Sequence, residues 1–596
     1  MPSDAPFATL GRVSLSTRIG SAIRDQYSWL SGYSARLFTD DLVAAVVVTI
    51  LLVPQSLAYA LLAGLPPQVG IYASIAPLLA YALLGSSNQL SVGPTAVISL
   101  MTAAAIATLP EEGRVVGAAA IALIAGAILI GAGLLRAGFL MNFVSRPVVS
   151  AYITGAALLI IISQLRHIVG IDGGGRTAFA MLRNIGAQAG QVHALTIVVG
   201  VVSLAAFWLA RNTVAYRLVK AGVRSRRARM ASRVVPILII LVALGLSAAL
   251  GLAERGLATV GPVPAGLPPL SFPMADMAFF DMLLVPAAVI AIVAFVDSTS
   301  TAQELAARNR EAVDANSELL GLGASNVAAG LTGGYAVNGS MSRSAVNAAA
   351  GARTPVSGLI VAALMCLTAL FLTPFLRPLP LAVLAALIIV ACLSLLDFKS
   401  IWRTWVYSRA DGTTALATFL AVLLLGVQWG VLAGVVLAMA LHIRGTVSPH
   451  MPLVGRFPGT EHYRDASRFV VETDTRVKTL RIDESLYYAN ARTLEDRVAE
   501  VVEESPNMTD LVLMCTAVNR IDASALDSLE TINNRLKAAG VDLHFSDMQS
   551  RVRERLFRSS FLDRLTGRIF LSQHEAMEEL TGVADFAFLN DHIDIH

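Results

Sequence analysis

Apolar residues dominate the chain from about residue 40 to residue 445, in runs separated by short polar or Gly- and Pro-containing stretches. A helix needs about 20 predominantly apolar residues to cross the hydrocarbon core of a bilayer. By this criterion the pattern predicts fourteen membrane segments, several of them short or interrupted. They are residues 40–63, 68–85, 92–109, 115–135, 143–165, 193–210, 234–252, 282–302, 317–332, 339–350, 355–374, 379–396, 412–426 and 428–444.

After residue 445, short apolar runs alternate with amphipathic stretches, which predicts a small α/β sandwich with its helices on one side of the sheet. We expect strands at residues 479–483, 510–515 and 541–545, and helices at 491–504, 523–538 and 549–557. The predicted parts are a cytoplasmic N-terminal segment (1–38) that includes an amphipathic helix over 15–30, a transmembrane domain (39–445), a linker (446–465), a soluble domain (466–583) and a C-terminal tail (584–596).

Composition agrees with a membrane protein and excludes several other classes. Hydrophobic residues make up 55% of the chain and charged residues only 15%, against about 25% charged in soluble domains. The net charge of +3 gives no support for a nucleic-acid partner. The three cysteines are far apart and the histidines lack paired-ligand spacing, so we expect no disulfide framework and no structural metal.

The distribution of basic residues predicts the orientation in the membrane. Residues 211–233 hold eight Lys and Arg residues and no acid, whereas residues 253–281 hold the single basic residue Arg255. Because cytoplasmic connections are enriched in Lys and Arg, we place residues 211–233 inside and 253–281 outside. With an even number of spans, both termini are then cytoplasmic, and we expect a multi-pass membrane protein.

Asp297 lies deep within the apolar eighth segment, with Thr301 one helical turn later on the same face. An acid inside a membrane span is costly to bury and usually marks an ion or proton path. A purely structural Asp that hydrogen-bonds to a neighbouring helix is the alternative. We interpret the pair as functional.

Fourteen segments divide into seven plus seven, and inverted repeats are common in transporters. The third segment opens with Ser91–Val97 and its counterpart, the tenth, with Val337–Ser344, each after a polar break. We predict two half-helices whose free N–H groups and positive dipole ends face the midplane, which would make an anion site. Arg343 would add positive potential there.

The first segment corresponds to the eighth. Pro54 is expected to break its helix. Gln55 and Tyr59 lie four residues apart on one face, so that an amide and a phenol would line the pocket opposite Asp297. The alternative is a Pro kink with two satisfied polar groups packed between helices.

These motifs resemble the SulP family of anion permeases. The matching stretches are VPQSLAYA at 53–60, GLPPQVGIYASIAP at 64–77, SVGPTAVISLM at 91–101 and the Ser342-Arg343 pair. The resemblance implies a seven-plus-seven inverted-repeat transporter with core and gate subdomains, which often dimerises, and with the anion between the third and tenth helices. The implied substrate-binding positions are Gln55, Tyr59, Thr95, Ala96, Ser342 and Arg343.

In the same family, Asp297 and Thr301 resemble the sodium-site pair of cyanobacterial sodium–bicarbonate symporters. Many other members have Glu at the acid position. The match therefore suggests coupling to sodium or to protons, with sodium as the metal ion held by Asp297 and Thr301 in the first case and no other cofactor. An Asp297–Arg343 ion pair that changes with substrate is a further expectation.

The soluble part resembles the STAS domain, which follows the transporter in this family and also occurs in bacterial anti-sigma factor antagonists. The loop is Val518–Ala525, where the antagonists have Asp-Ser-Ser-Gly and phosphorylate the first serine. Ala523 occupies that position here, followed by Ser524, and Asp522 fits an N-cap. Regulation, dimer contacts or docking of a cytoplasmic protein partner are therefore expected, rather than a phospho-switch or enzyme chemistry.

The resemblance predicts secondary active transport of a small anion rather than catalysis. Sulfate is favoured, with bicarbonate and C4-dicarboxylates as alternatives, in symport with sodium or protons. An uncoupled anion exchanger or channel of the same family is the second hypothesis. Nucleobase permeases share the fold but usually lack a STAS domain, and a membrane-tethered regulatory scaffold would require the soluble domain to signal alone.

Overall fold

The computed structural model describes residues 33–139, 145–171, 175, 177–222, 225–270, 272–273, 277–309 and 313–582. The chain divides into two compact units, residues 1–438 and 439–596. The predicted amphipathic helix at 15–30 and the C-terminal tail lie outside the described residues, as do the side chains of most of the basic cluster in 211–233.

The described residues of the first half of the membrane unit form helices, one two-residue strand and connecting loops. Its elements are α1 (Ala35–Leu62), α2 (Pro67–Tyr72), α3 (Ala76–Leu84), β1 (Val92–Gly93), α4 (Ala96–Ile106), α5 (Glu111–Leu134), α6 (Arg146–Val169), α7 (Ala178–Ala187), α8 (Ala194–Leu209), α9 (Ala215–Lys220) and α10 (Ser225–Ala249). A π-helical turn at Ala210–Val214 joins α8 to α9.

The second half repeats this plan. Its elements are α11 (Met277–Asn309), α12 (Ala315–Leu331), β2 (Asn338–Gly339), α13 (Met341–Ala350), α14 (Val356–Leu367), α15 (Leu381–Cys392), α16 (Phe398–Tyr407), α17 (Arg409–Leu425) and α18 (Val427–Val447). Each of the fourteen predicted segments overlaps a helix, and three helices, α7, α9 and α16, have no counterpart among them. Within the described residues, eight helical stretches are long and apolar enough to cross a membrane.

The helices of the membrane unit pack in two groups. Helices α1 and α3–α5 pack with α11–α14, while α6, α8, α15 and α17 pack with one another. In the first group, α5 and α12 approach closely at glycines, since a Cβ added at Gly126 would lie 2.7 Å from the backbone oxygen of Gly323. Small residues at helix interfaces allow such close approach in membranes.

A buried acid that the sequence analysis missed holds the first group together. The carboxylate of Glu318, in the first turn of α12, is fully buried. It accepts hydrogen bonds from the Tyr81 hydroxyl at 2.7 Å and from the backbone N–H of Ser86 at 3.0 Å. The Ser86 hydroxyl also donates to it, at 2.7 Å. Glu318 lies within the predicted segment 317–332 and is therefore, like Asp297, an acid inside a membrane span.

Strands β1 and β2 are the non-helical backbone at the centre of the first group. They pair antiparallel, with Val92 opposite Gly339 and Gly93 opposite Asn338. The pairing satisfies backbone groups that have no access to water in a membrane interior. Because α4 and α13 begin directly after the two strands, the pairing brings their N-termini together, in agreement with the predicted half-helices.

The soluble unit is a five-stranded sheet with helices. Its elements are β3 (Leu453–Arg456), β4 (Tyr463–Asp465), β5 (Val477–Arg481), α19 (Ala491–Glu504), β6 (Asp510–Met514), α20 (Ala523–Ala538), β7 (Asp542–Ser546), α21 (Ser550–Phe557), α22 (Phe561–Arg564) and α23 (Gln573–Thr581). The strand order is β4-β3-β5-β6-β7, with β5, β6 and β7 parallel and the remaining pairings antiparallel.

Two predictions about this unit are wrong. The stretch interpreted as a linker, 446–465, contains β3 and β4, which extend the sheet by pairing with β5 and with each other. The helices do not all lie on one side, because α19 and α20 cover one face while Phe570 and Ala576 pack on the other against Val477 and Val512. Both strands are only three or four residues long and lie among Gly and Pro residues, so their sequence signal is weak, which explains the first error.

Candidate functional site

The site begins at the N-terminus of α4. Thr95 is the N-cap residue of this helix, yet its side chain makes no capping hydrogen bond. Its hydroxyl instead donates to Oδ1 of Asn338, at 2.6 Å. Ala96, the first residue of α4, is buried. The first N–H groups of α4 therefore have no side-chain cap in the described part of the chain and are suited to meet an anion.

Arg343 lies at the start of α13 and is 1% exposed. Its Nη1 donates to the backbone oxygen of Pro94 at 2.7 Å, which links it to the residue before Thr95. Its Nε and Nη2 atoms are buried and have no hydrogen-bond partner among the described residues. Gly93 leaves room for the guanidinium, since an added Cβ there would lie 3.3 Å from Nη2.

Ser342 and Ser340 complete the start of α13. The Ser340 hydroxyl caps the helix by accepting from the N–H of Arg343 at 3.5 Å, and it lies 3.3 Å from the exposed Ser342 hydroxyl. The structure thus brings together the predicted residues that follow the paired strands β1 and β2. Thr95 and Ala96 follow β1, and Ser342 and Arg343 follow β2.

Gln55 and Tyr59 lie on α1. Their helix runs through Pro54 without a break, so the prediction that this proline interrupts it is wrong. The Oε1 atom of Gln55 is buried and has no hydrogen-bond partner in the described structure. Tyr59 is 8% exposed, and α1 contacts both α13, which carries Arg343, and α15 of the second helix group. Tyr59 therefore lies on a helix that contacts both groups.

Asp297 and Thr301 lie on α11, which packs against β2. Oδ2 of Asp297 accepts a hydrogen bond of 2.6 Å from Nδ2 of Asn338, whereas its Oδ1 has no protein partner among the described residues. Thr301 is 4% exposed. Among the described residues, Asp297 bonds to Asn338 and Arg343 to Pro94 rather than to each other, so the expectation of an Asp297–Arg343 ion pair is not met here.

Sequence reasoning missed two residues of this site, Asn338 and Ser298. Asn338 contacts both Thr95 and Asp297. The Ser298 hydroxyl accepts from the N–H of Gly339 at 2.7 Å and so fixes β2 to α11. The available signal was the Asn338-Gly339 pair inside the polar break 337–344, a stretch interpreted above only as the start of a helix.

The fold and these paired half-helix ends define a multi-span membrane transporter with a soluble C-terminal domain. The model of the Sulfate permease family matches residues 38–418, and the model of the STAS domain matches residues 468–576. The first match covers more than half of the chain, and the chain therefore belongs to the sulfate permease family. The members of this family are transporters and not enzymes.

Curated relatives align along nearly the whole chain. A probable sulfate transporter of Mycobacterium tuberculosis is 36% identical over 555 residues, which cover 92% of this chain and 96% of the relative. Sulfate transporter 4.1, chloroplastic, of Arabidopsis thaliana is 32% identical over 93% of this chain and 82% of its own length.

Solved structures share the fold at low sequence identity. The structure of SLC26A9 superposes with a TM-score of 0.86 at 22% identity, covering 96% of this chain and 94% of the other. The transmembrane domain of a cyanobacterium bicarbonate transporter, BicA, gives a TM-score of 0.57 at 22% identity, over 68% of this chain and 98% of the other. The predicted fold class, a seven-plus-seven helical transporter followed by a STAS domain, is confirmed.

Proposed function

We propose that this protein is a secondary transporter that carries a small oxyanion, sulfate in the first place, in symport with sodium or protons. The observation that carries the proposal is the buried guanidinium of Arg343 with two unpartnered nitrogen atoms. A buried unpaired cation is strongly unfavourable, and an anion at this point supplies both its countercharge and its missing hydrogen bonds. Arg343 is thus the main anion ligand.

The helix ends and α1 complete the proposed anion pocket. The uncapped N–H groups after Thr95 and Ala96 contribute partial positive charge, as does the start of α13 at Ser342. Gln55 and Tyr59 contribute an amide and a phenol from α1. Sites built from helix N-termini bind anions with few charged side chains.

The proposed cation site is Asp297 with Thr301. The free Oδ1 atom of Asp297 and the buried position of Thr301 support it, because sodium prefers hard oxygen ligands from carboxylate and hydroxyl groups. A bound cation also offsets the charge of the carboxylate inside the membrane. Uncoupled exchange or channel activity is the alternative, and it predicts transport that is indifferent to Asp297.

Sulfate is favoured over other anions because the curated relatives from M. tuberculosis and Arabidopsis are named sulfate transporters. Bicarbonate is second, supported by the match of Asp297 and Thr301 to the sodium-site pair of bicarbonate symporters. C4-dicarboxylates are third. We further propose a homodimer in the bacterial inner membrane with both termini cytoplasmic, and a STAS domain that contacts a second subunit or a cytoplasmic protein.

Uptake into proteoliposomes tests the proposal. Labelled sulfate, bicarbonate and fumarate are offered to wild type under an inward sodium gradient and, separately, an inward proton gradient. We expect sulfate to accumulate with one of the gradients, Asp297→Asn to lose only the gradient-driven part, and Arg343→Gln to lose uptake under all conditions. Equal flux under both gradients together with an Asp297→Asn variant that matches wild type would exclude symport.

A further inference from the structure

The side chain of Asn338 joins the proposed anion site to the proposed cation site. On one side, its Oδ1 accepts a hydrogen bond of 2.6 Å from the hydroxyl of Thr95. On the other, its Nδ2 donates a hydrogen bond of 2.6 Å to Oδ2 of Asp297. One amide thus connects α4 of the first repeat to α11 of the second, through strand β2.

The donor and acceptor roles in these two hydrogen bonds follow from the chemistry of Asp297 and Thr95. An ionised carboxylate can only accept hydrogen bonds, so the amide nitrogen of Asn338 must face Asp297. The amide oxygen then faces Thr95, whose one hydroxyl hydrogen is used on it. The Thr95 hydroxyl then has no hydrogen left to donate and presents only its lone pairs to other groups. These lone pairs repel an anion at the N-terminus of α4.

Backbone hydrogen bonds fix the main chain of Asn338, whereas the hydrogen bonds of its buried side-chain amide within the described residues are those to Thr95 and Asp297. Its backbone pairs with Gly93, and the next N–H, of Gly339, is held by Ser298. The terminal torsion of an Asn side chain has two broad states related by exchange of oxygen and nitrogen. Because the two orientations exchange oxygen and nitrogen at the same two positions, a reversed amide meets the same two neighbours with both helices in place.

We propose that Asn338 is a hydrogen-bond relay through which sodium at Asp297 raises the affinity for the anion at Thr95. Sodium on the carboxylate repels the amide hydrogens and attracts the amide oxygen as a further ligand. When the amide reverses, Nδ2 donates to the Thr95 hydroxyl oxygen. The hydroxyl hydrogen is then free to donate to the anion. Asn338 acts as a positioning residue, and this inference rests on the proposed sodium-coupled function.

Binding measurements on the purified full-length protein test the relay without transport. Sulfate affinity is measured by calorimetry in sodium chloride and in choline chloride at equal ionic strength. For wild type we expect sodium to tighten sulfate binding on the order of tenfold, and sulfate to tighten sodium binding by the same factor, because coupling is reciprocal. Asn338→Ala and Thr95→Val should reduce this factor to about one, while Thr95→Ser, which keeps the hydroxyl, should retain it.

The matched control is Ser99→Ala on the same helix, which removes a buried hydrogen bond of 2.8 Å to Tyr335 outside the relay. The Ser99→Ala variant should keep the wild-type effect of sodium on sulfate affinity. Thermal unfolding of each variant checks that it is folded. If wild type shows no effect of sodium, sodium coupling and the relay both fail. If sodium tightens sulfate binding in wild type and equally in Asn338→Ala or Thr95→Val, the relay alone is refuted. Loss of the sodium effect in Thr95→Ser would also refute the relay alone.

Discussion

The close contact between α5 and α12 gives a stability prediction with a control on the same helix. An added Cβ at Gly126 would lie 2.7 Å from the Gly323 oxygen and 2.7 Å from the Val327 nitrogen. At Gly131, five residues later on α5, an added Cβ would meet nothing within 4 Å. The pair Gly126→Ala and Gly131→Ala therefore separates the effect of packing from that of helix propensity.

The expected magnitudes follow from these distances. Replacing Gly by Ala in a helix favours folding by up to about 1 kcal/mol at both positions. At Gly126 the new methyl group overlaps backbone atoms that cannot rotate away, and overpacking of this kind costs about 1–3 kcal/mol. Since the propensity gain is common to both variants, we expect Gly126→Ala to be less stable than Gly131→Ala by about 1–3 kcal/mol.

The assay is the midpoint of thermal or denaturant-induced unfolding of wild type and both variants in the same detergent micelles. Gly131→Ala should match or exceed wild type, and Gly126→Ala should unfold earlier than Gly131→Ala. Equal midpoints for the two variants would show that α5 and α12 are not packed as closely as the structure indicates. Sulfate uptake by Gly131→Ala should remain at the wild-type level, because this residue touches no part of the proposed site.

Three further predictions concern buried polar groups. Tyr81→Phe removes a donor to the Glu318 carboxylate and should lower the free energy of unfolding by about 1.5–3 kcal/mol, seen as an earlier thermal midpoint; an unchanged midpoint would contradict it. Hydrogen bonds from Ser467 lower the pKa of Asp465 to about 2. The resulting stability is present above the usual aspartate pKa and is lost as pH falls from about 4 towards 2. The protection factors of the β4 amides, which correct for the intrinsic pH dependence of exchange, should therefore fall over that range in wild type and not in Asp465→Asn. Burial raises the pKa of Cys515 to about 12, so mass spectrometry should find it unmodified by iodoacetamide at pH 8 until urea unfolds the soluble unit, and labelling of the native protein would refute this.

The local features of the site were accessible from the sequence because they depend on residues a few positions apart. An acid in an apolar run and a hydroxyl one turn later are both visible at Asp297 and Thr301. Helices α19 and α20 have the predicted bounds, since amphipathic periodicity and an N-cap at Asp522 mark them. Pro54 was misjudged, because whether a helix bends or breaks at proline depends on what packs around it.

The sequence by itself determined the membrane class, the number of apolar segments and the start of the two half-helices, because span length and helix capping are local properties. Only the tertiary structure decided that Asn338 contacts Thr95, 243 positions away, and that Arg343 reaches the Pro94 oxygen, 249 positions away. It also decided that β3 and β4 join the sheet and that Glu318 is buried against Tyr81. Such contacts depend on how distant segments pack against each other, and no short-range pattern of residue types encodes that arrangement.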